Sequence, residues 1–284
     1  MTQTLRMGIL FGIAAAVLFG SGDYLGGRAA RRIDIRHVML ASQVAALAVS
    51  AVAALVVQGD ARAADLAYGA GAGGSAAVGL GLLYRALAIG RAGLVAPLTA
   101  VMGAVVPVTW GVARGERPSA LGTIGVAVAV SAAALIAREQ TDTDSGPTGA
   151  GIALAAGFTL GLGFICYAST SDGSGMVPLL SARVASVAFV ALTVLVTRPR
   201  LDRSSIDRRV LLFALSAGAF DVTGTIFLIA GVRTELAVLV AAICALAPGF
   251  TVVWSWLYLR ERLGRIQTVG IVLALLGLAA IAAG

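Results

Sequence analysis

The sequence predicts an all-α integral membrane protein of ten transmembrane helices, arranged as two inverted five-helix repeats. The first observation is composition, because 59% of the 284 residues are hydrophobic and only 12% are charged. Soluble domains are about 45–50% apolar and about 25% charged. No single core in water could bury this much apolar surface, so the solvent for most of the chain is lipid.

The second observation is a series of apolar runs. A spanning helix needs about 20 mostly apolar residues, and ten runs of this kind follow one another with short connections. The first is interpreted as a retained helix, since no small-residue cleavage site follows it. The runs are 7–26, 37–57, 66–89, 92–113, 118–137, 148–169, 176–197, 209–232, 235–258 and 264–283.

The third observation is an internal repeat around the polar segment 138–147. A shift of 145 residues superposes 114–137 on 259–282 with eight of 24 positions identical. The matches include Glu116 with Glu261, Arg117 with Arg262, Thr123 with Thr268 and Gly125 with Gly270. We therefore expect a first repeat at 1–137, a linker at 138–147 and a second repeat at 148–284. Because five is odd, the second repeat enters the membrane from the opposite side, as in transporters whose site lies between inverted halves.

Charge and cysteine content exclude several classes of function. All 21 basic residues are arginines, and they lie in short clusters between apolar runs. That distribution is typical of topology signals and headgroup contacts rather than of nucleic-acid binding. Cys166 and Cys244 lie inside apolar runs, and His37 is the only histidine and lies at a helix mouth. We therefore expect no zinc site, no cofactor and no intramembrane protease, and we interpret the protein as a non-enzyme.

Three segments carry a resemblance to a known family: 20–32 (GSGDYLGGRAARR), 82–119 and 221–263. The last contains Pro248 and the Glu261-Arg262 pair before a glycine-containing final helix. On these segments the whole chain resembles ten-helix transporters of the drug/metabolite transporter superfamily, in the EamA group. The resemblance implies a multi-pass protein of the cell membrane that moves small metabolites, often exporting amino acids or related compounds. The first half departs from the pattern by placing Pro97 and Pro107 where the second has Ala242 and Val252, so equivalent hinges in the two halves are in question.

Asp221 is the first candidate site residue, because it lies near the centre of the run 209–232. A charge at the bilayer midplane costs about 2.5–3.5 kcal/mol on insertion scales, so such a group is paired, protonated or faces a cavity. Arg183, near the middle of the preceding run, is the expected partner. The pair is either a structural lock between helices or a functional site. In the functional case, Asp221 carries a coupling proton or binds a substrate amino group, while Arg183 binds a carboxylate.

Asp23 and Arg85 form a second candidate pair toward one membrane face. The alternatives are that Asp23 lies at the interface and that Arg85 reaches the headgroups. The repeat aligns Asp221 with Ala76 and Arg85 with Ala230, so the scaffold is duplicated while the charges are not.

Among the aromatic residues, Tyr84 and Tyr167 are expected to line a cavity, since they lie deeper in their runs than the tryptophans do. Glu116 and Glu261, beside Arg117 and Arg262, are expected to act structurally at helix junctions.

Two predictions stay open at this stage. The side that holds both termini carries five arginines and the other side fourteen, which places the termini outside, whereas the family resemblance implies both termini inside. The leading function is a secondary transporter working by alternating access in the bilayer, driven by proton exchange or uncoupled. The alternatives are a channel-like facilitator and a non-transporting membrane partner of an enzyme or flippase complex.

Overall fold

The computed structural model describes residues 2–115, 119–141, 149–199, 207–232, 244, 246–260 and 264–283. This part of the chain consists of helices joined by short connections and contains no strand, which confirms the predicted all-α class. Ten α-helices follow in order, with one short 3-10 helix (Asp172–Ser174) between the sixth and the seventh. They are α1 (Thr2–Ala30), α2 (Ile35–Val56), α3 (Ala63–Ile89), α4 (Ala92–Ala113), α5 (Ala120–Thr141), α6 (Ala150–Ala168), α7 (Val177–Thr197), α8 (Arg208–Val232), α9 (Ala247–Leu259) and α10 (Arg265–Ala283).

Seven of these helices are long and apolar enough to cross a membrane, counted over the described ranges: α1 to α4 and α6 to α8. The apolar stretches of α5 and α10 are shorter, at Ala120–Ala132 and Thr268–Ile281. The described part of α9 begins at Ala247, where Pro248 lies in the first turn. Proline suits that position because the first N–H groups of a helix have no intrahelical acceptor. The helices confirm a multi-pass membrane protein.

Short connections alternate between two faces of the bundle. We call the face that holds the connections 57–62 and 169–176 the terminal side, because α1 begins and α10 ends there. The opposite face, with the connections 31–34 and 90–91, is the linker side. On the linker side Asp34 caps α2, since its carboxylate accepts a hydrogen bond from the Arg36 N–H at 2.9 Å and pairs with the Arg36 guanidinium at 2.6 Å. The guanidinium hydrogen bond keeps the pKa of Asp34 below its usual value.

The helices associate in two interleaved groups, which meet where α2 packs on α7 and where α1 packs on α3. The first group contains α1, α2, α8 and α9, because α8 packs on α1 and α2, and α9 packs on α1. The second group contains α3, α4, α6 and α7, because α6 packs on α3 and α4, and α7 packs on α3. Helices α5 and α10 pack on each other beside α4. Each group therefore takes helices from both halves of the chain.

Close backbone contacts recur at corresponding places in the two groups. A methyl group added at Gly73 of α3 would overlap the backbone of Ala182 in α7, and one added at Gly218 of α8 would overlap the backbone of Ser42 in α2. Gly218 follows Gly73 by the same 145 residues that align the sequence repeat, and Ala182 follows Ser42 by 140. In lipid, small residues let helix backbones approach in this way. The two crossings are thus equivalent by position and by contact.

On the terminal side, the α2–α3 connection lies against the α6–α7 connection. Asp65, in the first turn of α3, is 3% exposed and accepts hydrogen bonds from the Ser171 N–H at 2.7 Å and the Ser171 hydroxyl at 2.8 Å. It also accepts from the Arg62 N–H at 2.8 Å. Backbone hydrogen bonds from Asp60 to Gly173 and from Met176 to Val57 join the same segments. These contacts hold one rim of the central cavity.

Candidate functional site

Arg183 and Asp221 form an ion pair in the middle of the bundle. Nη2 of Arg183 on α7 lies 2.7 Å from Oδ2 of Asp221 on α8, and the two side chains are 5% and 17% exposed. Nη1 of Arg183 donates to Oε1 of Gln43 on α2 at 3.3 Å. In the part of the chain that the structure describes, Nε of Arg183 has no hydrogen-bond acceptor although it is buried. The guanidinium therefore keeps donor capacity beyond its protein contacts.

The ion pair bridges the two helix groups, because α7 belongs to the second group and α8 to the first. Packing alone does not require charges here, since aliphatic side chains of similar volume would fill the space without the desolvation cost of two ions. A buried pair is therefore weak evidence for stability and stronger evidence for a role.

A cavity of about 670 Å³ extends from this pair toward the terminal side. Its size is within the range of about 300–1,000 Å³ that is typical of small-molecule sites. The first helix group contributes Phe19, Asp221, Thr225 and Ile229, among others, and the second group contributes Arg183, Tyr167 and most of the remaining wall. Most of the lining is apolar, with the ion pair at the inner end. This arrangement suits a solute with a polar or charged head and an apolar body.

Tyr167 and Tyr84 have different surroundings. Tyr167 lines the cavity, as predicted. The prediction that Tyr84 lines a cavity is wrong for the one that contains the ion pair, since Tyr84 is 1% exposed and its ring covers Gly26 of α1. Glycine at position 26 is the physical reason, because the missing side chain leaves space that the ring fills. Tyr84 therefore closes the packing between α1 and α3 toward the linker side.

Asp23 and Arg85 do not form the expected pair. Asp23 lies on α1 next to Gly22, which packs against the Asp221 backbone. Arg85 is exposed on the outer surface of α3, and no ion pair between the two is present among the described side chains. Tyr84 turns inward, and its neighbour Arg85 consequently points to a different face of the helix, about 100° away.

The remaining predicted motif residues divide into two sets. Pro248 is buried at the start of α9, consistent with a structural position. Glu116, Arg117, Glu261 and Arg262 lie outside the described residues. The described residues contain no cluster of three metal-ligating side chains.

Gln43 and Phe19 are site residues that the sequence interpretation did not single out. Gln43 is 1% exposed and lies near the centre of α2, so an uncharged amide in the middle of an apolar run was an available signal. Phe19 lies one turn from Asp23 on α1 and carries no chemical signal, so its place in the wall follows from packing alone.

Comparisons with known proteins agree with this architecture. A solved structure titled only as a crystal structure of a protein superposes with a TM-score of 0.64 over 96% of this chain and 95% of its own, at 16% identity. At that identity the likeness concerns the fold alone. No curated protein sequence matches the chain. Residues 147–283 match the model of the EamA-like transporter family. That match, in the half of the chain that contains Arg183, Asp221 and Tyr167, places this protein in the drug/metabolite transporter superfamily.

Proposed function

We propose that this protein is a secondary transporter of the cell membrane that exports small metabolites, such as amino acids or related compounds, by alternating access. The observation that carries the proposal is the cavity between two interleaved helix groups, with the buried Arg183–Asp221 pair at its inner end. Transporters built from inverted repeats have their sites at this depth, between elements that move against each other. The repeat boundaries that we propose are 1–137 and 148–284, joined by 138–147.

The chemistry of the site supports an amphipathic, zwitterionic solute. Nε–H of Arg183, which has no acceptor among the described residues, is a donor for a carboxylate, and Asp221 is an acceptor for an ammonium group. The apolar wall, including Phe19, Leu160 and Ile229, accommodates an uncharged body. Substrate binding then substitutes for the protein ion pair, which limits the desolvation cost of bringing charges into the membrane.

Asp221 also supplies a route to coupling. If a substrate anion takes Arg183, the carboxylate of Asp221 loses its counter-ion and is then available to carry a coupling proton. We propose this proton as the counter-ion of export. A channel is a weaker candidate, because Tyr84 fills the space against Gly26 at the linker-side end of the path.

The test compares the culture media of cells that overproduce the wild type, Asp221→Asn or Arg85→Gln. Arg85→Gln is the matched control, because it also removes one charge from a spanning helix but at an exposed position. If the protein exports a metabolite, that metabolite should be enriched in the media of cells with the wild type or Arg85→Gln. It should not be enriched in the medium of cells with Asp221→Asn at equal expression. Media that are identical for all three would contradict export.

A second measurement separates a transporter from a facilitator. The metabolite identified in the media is loaded into proteoliposomes, and uptake of labelled solute is followed against an unlabelled internal pool. Stimulation by the internal pool is expected of alternating access, whereas a channel shows none. A purified protein that moves nothing would favour a non-transporting membrane partner.

A further inference from the structure

Over the described residues, one of two equivalent helix contacts is formed and the other is not. On the linker side, α1 packs on α3, where Tyr84 covers Gly26 and Leu87 covers Gly27. Nε and Nη2 of Arg31 add hydrogen bonds to the carbonyls of Leu87 at 3.0 Å and Gly90 at 3.1 Å. The equivalent contact on the terminal side joins α6 to α8, and these two helices share no extensive contact over the described residues. The cavity occupies the space between them.

The close contacts of glycines show which residues of α1 and α6 are at equivalent positions in the two halves of the chain. Gly22 on α1 packs against Ala217 and Phe220 of α8, and Gly163 on α6 packs against Ala72 and Ser75 of α3. Ala217 and Phe220 follow Ala72 and Ser75 by the 145 residues of the repeat, so Gly163 is the counterpart of Gly22. Helices α1 and α6 are therefore equivalent with a shift of 141 residues.

A second pair of contacts supports this register. Gly20 on α1 lies against Thr251 of α9, and Gly161 on α6 lies against Val106 of α4. Gly161 follows Gly20 by 141 residues, and Thr251 follows Val106 by 145. Both pairs of contacts thus give the same register, a shift of 141 residues from α1 to α6 and of 145 residues for the helices that they contact.

The same two shifts, applied to the contact between Gly26 and Tyr84, identify the residues of the equivalent contact on the terminal side. The counterpart of Gly26 is Tyr167, and the counterpart of Tyr84 is Ile229. Both residues line the cavity, one from each helix group. We propose that Tyr167 and Ile229 form the terminal-side gate, which closes by packing α6 on α8 while Tyr84 separates from Gly26 on the linker side. This proposal rests on the proposed transport function and adds the two gate contacts.

The location of the ion pair fits this exchange. Arg183 and Asp221 connect the two groups near the centre of the bundle, between the two gates. When one group rocks against the other, displacements are largest at the membrane faces and smallest at the centre. The site can therefore face either side while its own geometry changes little.

Disulfide trapping tests the gate. In a background with Cys166→Ala and Cys244→Ala, the pair Tyr167→Cys and Ile229→Cys is oxidised in membranes. The negative control is Tyr167→Cys with Leu211→Cys, since Leu211 lies at the opposite end of α8. A cross-link in the first pair only, with loss of transport that a reductant reverses, is the expected result. If the double variant folds poorly, Ala168→Cys with Ile229→Cys tests the same contact.

If the two gates alternate, weakening the linker-side contact should favour closure of the terminal-side gate, and the cross-linking rate measures this effect. Gly26→Ala forces Tyr84 away from α1 and weakens the closed gate, so the population moves toward terminal-side closure. We expect the Tyr167–Ile229 cross-link to form roughly fivefold faster, which is the factor given by about 1 kcal/mol. Gly81→Ala is the matched control, because an added methyl group there meets open space. Equal rates in the two backgrounds, or no cross-link in either, would overturn the gate assignment.

The outcomes distinguish this proposal from the proposed function. Cross-linking that responds to Gly26→Ala without any transported solute supports two exchanging gates and contradicts metabolite export. Transport that is retained after complete cross-linking of Tyr167→Cys to Ile229→Cys contradicts the gate while leaving export intact.

Discussion

Arg183 of α7 donates a hydrogen bond to Gln43 of α2, the residue that occupies the equivalent position in the other half of the chain. The shift of 140 residues that relates Ser42 to Ala182 also relates Gln43 to Arg183. An approximate two-fold rotation that relates the halves moves Gln43 onto the position of Arg183 and the reverse. Because the two residues are in contact, the rotation axis passes between them. The site is thus at the symmetry axis, and the symmetry is broken there by chemistry, with a charge on one side and an amide on the other.

This asymmetry extends to Asp221. Its counterpart on α3 is Ala76, and both residues line the cavity. A site for an asymmetric solute requires different chemical groups on its two walls. Two halves with the same fold can supply such groups only where their sequences differ at equivalent positions near the axis. We therefore propose that Arg183 and Asp221 set the specificity, whereas the glycines at equivalent positions maintain the shared scaffold.

Removing one partner of the ion pair should cost more stability than removing both. Asp221→Asn leaves Arg183 buried without its counter-ion, and we expect a loss of about 3 kcal/mol in unfolding free energy. The double variant Asp221→Asn with Arg183→Gln should recover most of that loss, because no buried charge remains. Chemical unfolding in detergent measures both. If the double variant is also inactive in transport, the pair has a role beyond locking α7 to α8, and full activity would contradict the site assignment.

Substitution of the crossing glycines should destabilise the bundle. Gly73→Ala and Gly218→Ala each place a methyl group against a neighbouring backbone, so the helices must move apart. We expect losses of about 1–3 kcal/mol, the usual cost of overpacking. Gly74→Ala is the matched control, since an added methyl group there meets nothing and alanine favours the helix. Melting temperatures in detergent provide the comparison. A Gly218→Ala protein as stable as Gly74→Ala would show that the α2–α8 crossing is looser than described.

Arg85→Gln should leave transport unchanged. The side chain is exposed on α3 and forms no ion pair with Asp23 in the described structure, so no buried partner is left uncompensated. We expect initial rates within about twofold of the wild type, which corresponds to less than 0.5 kcal/mol. Initial rates of export at matched expression measure the effect. A large loss of activity would restore Arg85 to the site.

Asp65→Ala should loosen the terminal-side rim. Three hydrogen bonds to Asp65 are lost, two of them from Ser171 in the α6–α7 connection, and their donors are left without that acceptor. We expect a lower melting temperature and faster proteolysis between α6 and α7. Asp60→Ala is the matched control, because the Asp60 side chain is exposed and only its backbone bonds to Gly173. Equal proteolysis of the two variants would indicate that the backbone contacts alone hold the rim.

The arginine distribution makes a prediction about orientation. With five arginines on the terminal side and fourteen on the linker side, the terminal side and the mouth of the cavity should face outward. In the background without cysteines, Ser169→Cys should react with a membrane-impermeant maleimide on intact cells, and Arg32→Cys should react only after lysis. Both positions are exposed in the structure. The reverse pattern would establish the orientation that the family resemblance implies.

The sequence alone determined the membrane class, the helix count and the family, because each depends on composition or local order. Twenty apolar residues in lipid have few alternatives to a helix, since their backbone groups must bond to one another. The same logic singled out Asp221 and Arg183, whose charges are costly wherever the helices lie.

Only the tertiary structure decided which faces meet. It separated Asp23 from Arg85, buried Tyr84 against Gly26, left Tyr167 on the cavity wall and brought Gln43 to Arg183. The reason is physical: in a chain that is apolar on nearly every face, hydrophobic periodicity does not distinguish a lipid-facing surface from a packed one. Close packing at glycines then sets the rotation of each helix, and those contacts join residues far apart in the sequence.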